Sequence, residues 1–158
     1  MKHHHSITVR PAASDDLEQI YALEQTCSQN PWSRDGLAEE LSGDESTFLL
    51  LQTPDEGRIV GFACAHLVCG EMHILDVAIH RDYRNEGLGA LLVTRLLAEA
   101  DAKEAARACL EVRASNTAAI RLYEKCGFMR DGMRDGYYQD GEDAVLMSSK
   151  SVPVMRHY

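Results

Sequence analysis

Hydrophobic and polar positions along the chain change period from block to block, and each period predicts an element. Residues 6–10 (S-I-T-V-R) alternate as a first strand does, and Pro11 ends it. Ser14 is placed to cap a helix, with Asp15, Asp16 and Glu18 in a first turn that favours anions, and Leu17, Ile20 and Tyr21 then recur on one face. Asn30-Pro31-Trp32-Ser33 breaks that helix; Ser33 is predicted to cap a second one reaching about Leu41, with Leu37 and Leu41 inward. Residues 46–52, 58–68 and 71–80 are apolar runs separated by the turn at 53–57 and by Gly70, so the middle of the chain reads as a three-stranded meander.

A polar loop at 81–86 leads to a long helix predicted over 88–106, its buried stripe Leu88, Leu91, Leu92, Leu96 and Ala100. A strand at 109–113 follows, then a helix capped by Ser115, carrying Ile120, Leu122 and Tyr123 and ended at Cys126-Gly127. Residues 129–139 and 142–149 read as two strands joined around Asp140-Gly141. The order β-α-α-β-β-β-α-β-α-β-β, with no repeat and no linker, predicts an α/β fold of α+β type: one central mixed sheet flanked by helices on both faces.

A chain of 158 residues with 45% apolar and 26% charged residues fits one soluble domain, placed here at residues 6–150. The polar start at residues 1–5, a histidine run that is a tag or native, suggests no secretion signal; residues 151–158 carry no pattern. No apolar run approaches the ~18–20 residues of a membrane span. The five cysteines, an odd count with no Cys-x-x-Cys pair, read as reduced thiols of a cytoplasmic protein. A formal net charge of −9 argues against binding nucleic acid or an anionic membrane and favours a basic partner.

Chemistry concentrates in Asp76 to Gly89, D-V-A-I-H-R-D-Y-R-N-E-G-L-G. A strand runs into a glycine loop and a helix opens at once, and the unpaired N–H groups of a helix N-terminus attract anions. Gly87 and Gly89 let a phosphate approach the backbone, and Arg84 adds positive charge. The loop lacks the Gly-Lys-Ser/Thr of a Walker A motif, and Leu92 stands where a dinucleotide fingerprint needs its third glycine. A turn that merely starts a helix is the plain alternative. Histidines 66, 73 and 80 show no ligand spacing shared with cysteines or carboxylates, so no metal is expected.

Arg84-Asn85-Glu86-Gly87-Leu88-Gly89, between a strand and a long helix, resembles the Arg/Gln-x-x-Gly-x-Gly/Ala signature of the GNAT acetyltransferases. Asn116 and the run Ala-x-x-Leu-Tyr-x-x-x-Gly-Phe ending at Phe128 resemble the same family's second segment. Glu-Val-Arg-x-Ser-Asn from Glu111, Asn30-Pro31-Trp32-Ser33 and Tyr137-Tyr138 are similar to the RimI, or ribosomal-protein-alanine N-acetyltransferase, type within it. The resemblance runs from about Ile7 to Ser148.

It implies acetyl-CoA as co-substrate, held by the amides of Arg84, Asn85, Glu86, Gly87, Leu88 and Gly89, by the main chain of Val77, Ala78 and Ile79, and by Asn116. It implies Glu111 as base, directly or through water, and Tyr123 as acid to the leaving thiolate. It also implies a basic protein N-terminus as partner, that of small-subunit ribosomal protein number eighteen, met by Trp32, Ser33, Tyr137, Tyr138 and the acidic Asp135, Asp140 and Glu142. An α-amine, with a reference pKa near 8 against about 10.4 for lysine, is cheaper to deprotonate by roughly 3 kcal/mol. Direct attack in a ternary complex is expected, because no Ser-His or Cys-His constellation stands out. A GNAT enzyme for lysine, a polyamine or an antibiotic shares the loop, as does a non-catalytic acetyl-CoA sensor.

Overall fold

A computed structural model describes residues 6–149, so the readings of residues 1–5 and 150–158 lie outside the described residues. The elements come in the predicted order: β1 (Thr8–Pro11), α1 (Leu17–Cys27), α2 (Arg34–Ser42), β2 (Ser46–Gln52), β3 (Ile59–Val68), β4 (Glu71–Ile79), α3 (Leu88–Ala102), β5 (Ala108–Arg113), α4 (Thr117–Lys125), β6 (Phe128–Arg134) and β7 (Ala144–Ser149). The strands form one sheet in the order β1-β2-β3-β4-β5-β7-β6, and β4 with β5 is its parallel pair.

Each face of the sheet buries its own core. On one, Leu88, Leu92, Val93 and Leu96 of α3 and Ile120 and Tyr123 of α4 pack on Leu49, Leu51, Met72, Ile74, Leu110 and Val112. On the other, Ile20 and Leu23 of α1 and Leu37 of α2 cover Leu50, Phe62, Cys64 and Ala78. Each such side chain contributes roughly 1.5–3 kcal/mol by leaving water, so the helices are held by their apolar stripes.

Four local expectations are corrected. Ser14 starts a 3-10 turn without capping it; Asp16 instead accepts the Ala13 N–H at 2.8 Å and grips Arg10 through two bonds of 2.9 Å. The long helix stops at Ala102 rather than 106, because Glu104 turns left-handed (φ 58°) and the Ala105 N–H returns to the Ala100 carbonyl, burying Ala105. Asn116, not Ser115, caps α4: its Oδ1 accepts the Ala119 N–H at 3.1 Å, while the Ser115 N–H is taken by Glu142. Finally β6 ends at Arg134, which leaves Tyr137 and Tyr138 on a loop shaped by left-handed Gly136 and Gly141 and by the bond from the Gly136 N–H to Asp143.

β4 sets the geometry of the molecule's centre. The two-residue turn Cys69-Gly70, left-handed at both positions (φ 50° and 78°), pairs His66 with His73 across the β3–β4 hairpin. The register then slips: Ala65 faces Ile74 but Cys64 faces Asp76, so Leu75 is an extra residue in β4. Such a bulge bends a strand and reverses its alternation. Met72 and Ile74 before it, and Val77 and Ile79 after it, therefore face the α3 core, while Asp76 and Ala78 turn to the α1 side. Before the bulge β4 pairs with β5 at Met72–Ala108 and His73–Cys109; beyond it the two strands part, while β5 stays paired with β7 through Arg113.

Gly61 lies opposite Ile79 near the parted end, where an added Cβ would sit 2.7 Å from Leu51 Cδ1 and 3.1 Å from the Ala78 carbonyl. Gly61→Ala should therefore push β3 from β4 and cost ~1–3 kcal/mol, read as a lowered midpoint in denaturant unfolding.

Candidate active site

The parting of β4 and β5 opens a cavity of about 340 Å³. Leu75, Asp76, Val77 and Ala78 form one wall and Glu111, Val112 and Arg113 the other. Asn116 at the cap of α4 and Ala119 and Tyr123 within it line it, as do Glu24 and Cys27 of α1, Trp32 and Tyr138. Glu111 alternates with buried Leu110 and Val112, so it lies on the α1 side of the sheet, whereas Tyr123 belongs to the α3 core. The split lets groups from opposite faces reach one space.

Of the residues singled out from sequence, Val77, Ala78, Glu111, Asn116, Tyr123, Trp32 and Tyr138 meet in this cavity. Ser33 does not: its hydroxyl caps α2, accepting the Gly36 N–H at 3.0 Å. Tyr137 stands outside, its hydroxyl 3.5 Å from Glu111 Oε1. Arg84 turns away from the glycine loop; its Nε donates to the Ile79 carbonyl at 2.9 Å, and it joins Arg58, His80 and Arg81 in a separate basic groove of about 570 Å³. That groove is lined by cations and His80 without a carboxylate or phenol, whereas the smaller cavity brings a carboxylate and a phenol together. Asp140 and Glu142 bind Arg113 at 2.9 Å each, so the hairpin is less acidic in effect than its sequence reads. Bonds from Ser115, then Arg113, hold the Glu142 carboxyl below its ordinary range.

The glycine loop has the form an anion needs. Gly87 caps α3 in the left-handed region (φ 82°), Asn85 shares that region (φ 62°), and a Cβ at Gly87 would meet open space. The first N–H groups of this 15-residue helix have no partner within it. On the parted side of β4 the main chain of Val77 and Ala78 faces the cavity instead of β5. Asn116, its Oδ1 already used, keeps two amide donors. An extended chain of amides ending in phosphates fits this sequence of donors and acceptors.

Tyr123 is 7% exposed and stacks edge-on against Phe128, ring centroids 5.6 Å apart. Burial first, then the charge of Asp76, pushes its phenol well above the ordinary value. It therefore keeps its proton through the neutral range and is a weaker acid than the reference tyrosine. The acid role that the family resemblance implies for Tyr123 is thereby tilted toward hydrogen-bond donation to a departing sulfur.

Glu24, Asp76 and His73 were not singled out from sequence. Glu24 is fully buried; its Oε2 accepts the Trp32 N–H at 3.1 Å, and Oε1 meets no ordinary donor. Two ionised carboxylates cannot bond each other, so a proton on Oε1, donated to Asp76, satisfies both. Burial, then Asp76, pushes the Glu24 carboxyl up to about 9; burial also raises Asp76, but the bond from Glu24 works against that rise, so Glu24 holds the proton. A carboxyl raised on folding binds more protons in the native state, so its contribution to stability is present at acid pH and is lost as pH rises above the ordinary carboxylate range. Glu24→Gln keeps both hydrogen bonds without a proton to lose. Its melting temperature should match the parent at pH 5 and exceed it by a few degrees at pH 8; parallel curves would show that Glu24 is not the titrating group.

Residues 17–128 match the Acetyltransferase (GNAT) family. The chain is 36% identical over 144 residues, 89% of its length and 95% of the other's, to the ribosomal protein bS18-alanine N-acetyltransferase of Escherichia coli strain K12. It is 32% identical over 145 residues (89% and 95%) to the enzyme of that name from Salmonella typhimurium. A crystal structure of the ribosomal-protein-alanine N-acetyltransferase from Escherichia coli superposes with a TM-score of 0.84 at 34% identity, covering 96% of this chain and 99% of that one. The parted strands, the glycine-capped helix and these likenesses agree: the chain belongs to the GNAT family of acetyltransferases.

Proposed function

We propose that this protein transfers the acetyl group of acetyl-CoA to the α-amine of an N-terminal alanine, that of ribosomal protein bS18, in the cytoplasm. The observation that carries the reading is the joint presence of Glu111 and Tyr123 on the cavity between β4 and β5. The names of the relatives supply the acceptor. The net charge of −9 suits a basic acceptor tail, and no helix among the described residues is long and apolar enough to cross a membrane.

In this reading the amides at residues 87–89 hold the pyrophosphate, and the main chain of Val77 to Ile79, with Asn116, holds the arm and the thioester oxygen. Asp76 and Glu111 draw the acceptor's ammonium into the cavity. Glu111, directly or through a water, takes a proton, and the freed nitrogen pair attacks the thioester carbon. The carbon–sulfur bond breaks toward a sulfur that takes the phenolic proton of Tyr123, and the second proton, shed by the acetylated nitrogen, restores the phenol as the thiol leaves. Trp32 and Tyr138 flank the entering chain, with Ser33 and Tyr137 behind them as supports. Ser33 caps the helix after Trp32, and Tyr137 reaches Glu111.

Thiol release from acetyl-CoA with an alanine-initiated basic peptide should require its free α-amine; turnover on lysine or a polyamine alone would keep the family and discard this acceptor. Glu111→Gln and Tyr123→Phe should each lower kcat by roughly a hundredfold while coenzyme A still binds. A loss of binding equal to the loss of rate would make them structural, and intact binding with no turnover by the parent protein on any amine would favour a sensor.

A further inference from the structure

We propose that His73 is the proton acceptor behind Glu111, so that the base of the reaction is a Glu111–His73 pair and not a lone carboxylate. This rests on the reading of Glu111 as base. His73 Nε2 lies 2.8 Å from Glu111 Oε1, and the pairing is set by the backbone: His73 and Cys109 are the last residues that β4 and β5 pair, and Glu111 is the next residue of β5 on that face. The contact thus sits at the mouth of the split, with Glu111 toward the cavity and His73 behind it.

An α-ammonium gives its proton to an ordinary carboxylate only against a gap of nearly four pKa units, but to an ordinary imidazole against about 1.5 units. An imidazole in contact with the carboxylate lowers the cost of making a neutral amine. With neutral His73 carrying its proton on Nδ1, so that Nε2 is free to accept, the substrate's N–H bond breaks as an O–H bond forms on Glu111; that O–H breaks as an N–H bond forms on His73 Nε2. The electron pair left on the amine attacks the thioester, and the imidazolium passes its proton to water. Both side chains permit this, His73 being 30% and Glu111 23% exposed.

The groups that face His73 come from four elements. Glu111 faces it from β5 together with Cys109, whose thiol burial keeps protonated. From β3, His66 meets its ring edge-on, centroids 5.7 Å apart, and His66 Nδ1 in turn lies 3.5 Å from Glu40 of α2. On its own strand Glu71 is paired with Arg107, and from the 135–143 loop Tyr137 reaches the same Glu111 oxygen.

The test is kcat against pH for the parent, His73→Gln and Glu111→Gln, with saturating acetyl-CoA and the alanine-initiated peptide. Glutamine can hydrogen-bond Glu111 but cannot take a proton at neutral pH. The proposal expects His73→Gln to lower kcat roughly ten- to a hundredfold and to move the acid limb to lower pH, with coenzyme A affinity and melting temperature unchanged. A His73→Gln enzyme with the parent's kcat and acid limb overturns the proposal; if Glu111→Gln is then inactive, the reading of Glu111 as base survives. A Glu111→Gln enzyme at the parent's rate overturns both.

Discussion

The structure depends on one irregularity, the extra residue at Leu75 in β4. Up to His73 the strand is paired on both sides; beyond the bulge it keeps β3 and loses β5. The main-chain groups of Val77 and Ala78 that face the cavity instead of β5 are left to pair with water or with an extended ligand carrying amides. The same bulge reverses the alternation of β4, so that apolar Val77 and Ile79 support the wall from the α3 core while Asp76 turns toward α1. One inserted residue thus opens the slot and places its charge.

Three carboxyls around this slot have separate fates. Glu24, fully enclosed, holds a proton and ties the Trp32 loop to α1. Asp76 accepts from it, and that bond opposes the rise that burial imposes on the Asp76 carboxyl. Glu111 contacts His73 and the mouth of the cavity. Negative charge beside a cavity attracts an ammonium group and also disfavours ionisation of Tyr123, which remains a donor. The loop at α3 carries the opposite polarity, from backbone rather than side chains, since Arg84 is held by the Ile79 carbonyl. A ligand with an anionic tail and a reactive end near an incoming cation is oriented by the two together.

Much of this was legible in the chain. Periodicity gave every strand and helix in order, because each buries an apolar stripe on one of two cores. The glycine loop was legible because Gly87 and Gly89 open a helix directly after a strand. Glu111, Tyr123, Asn116, Trp32 and Tyr138 were legible through family resemblance, and all line the cavity. Caps were less so: Ser14 and Ser115 have the right chemistry, but the neighbouring Asp16 and Asn116 have the reach. The Tyr137-Tyr138 strand was misread because alternation says nothing of where a hairpin loop widens. Least legible were Glu24, Asp76 and His73, whose partners lie far along the chain. The Cys69-Gly70 turn does announce that His66 opposes His73, but the parallel register that sets His73 near Glu111, and the bulge that turns Asp76 toward Glu24, leave no local signal.

The central claim is that the unpaired edge of β4 is where acetyl-CoA lies. Amide hydrogen exchange, followed residue by residue with and without coenzyme A, tests it most directly. The account predicts slowed exchange at the amides within residues 75–79 that face β5 and at residues 87–90, with β1, β2 and β3 little changed. Protection confined to the groove of Arg58, His80, Arg81 and Arg84, with none along residues 75–79, would contradict it.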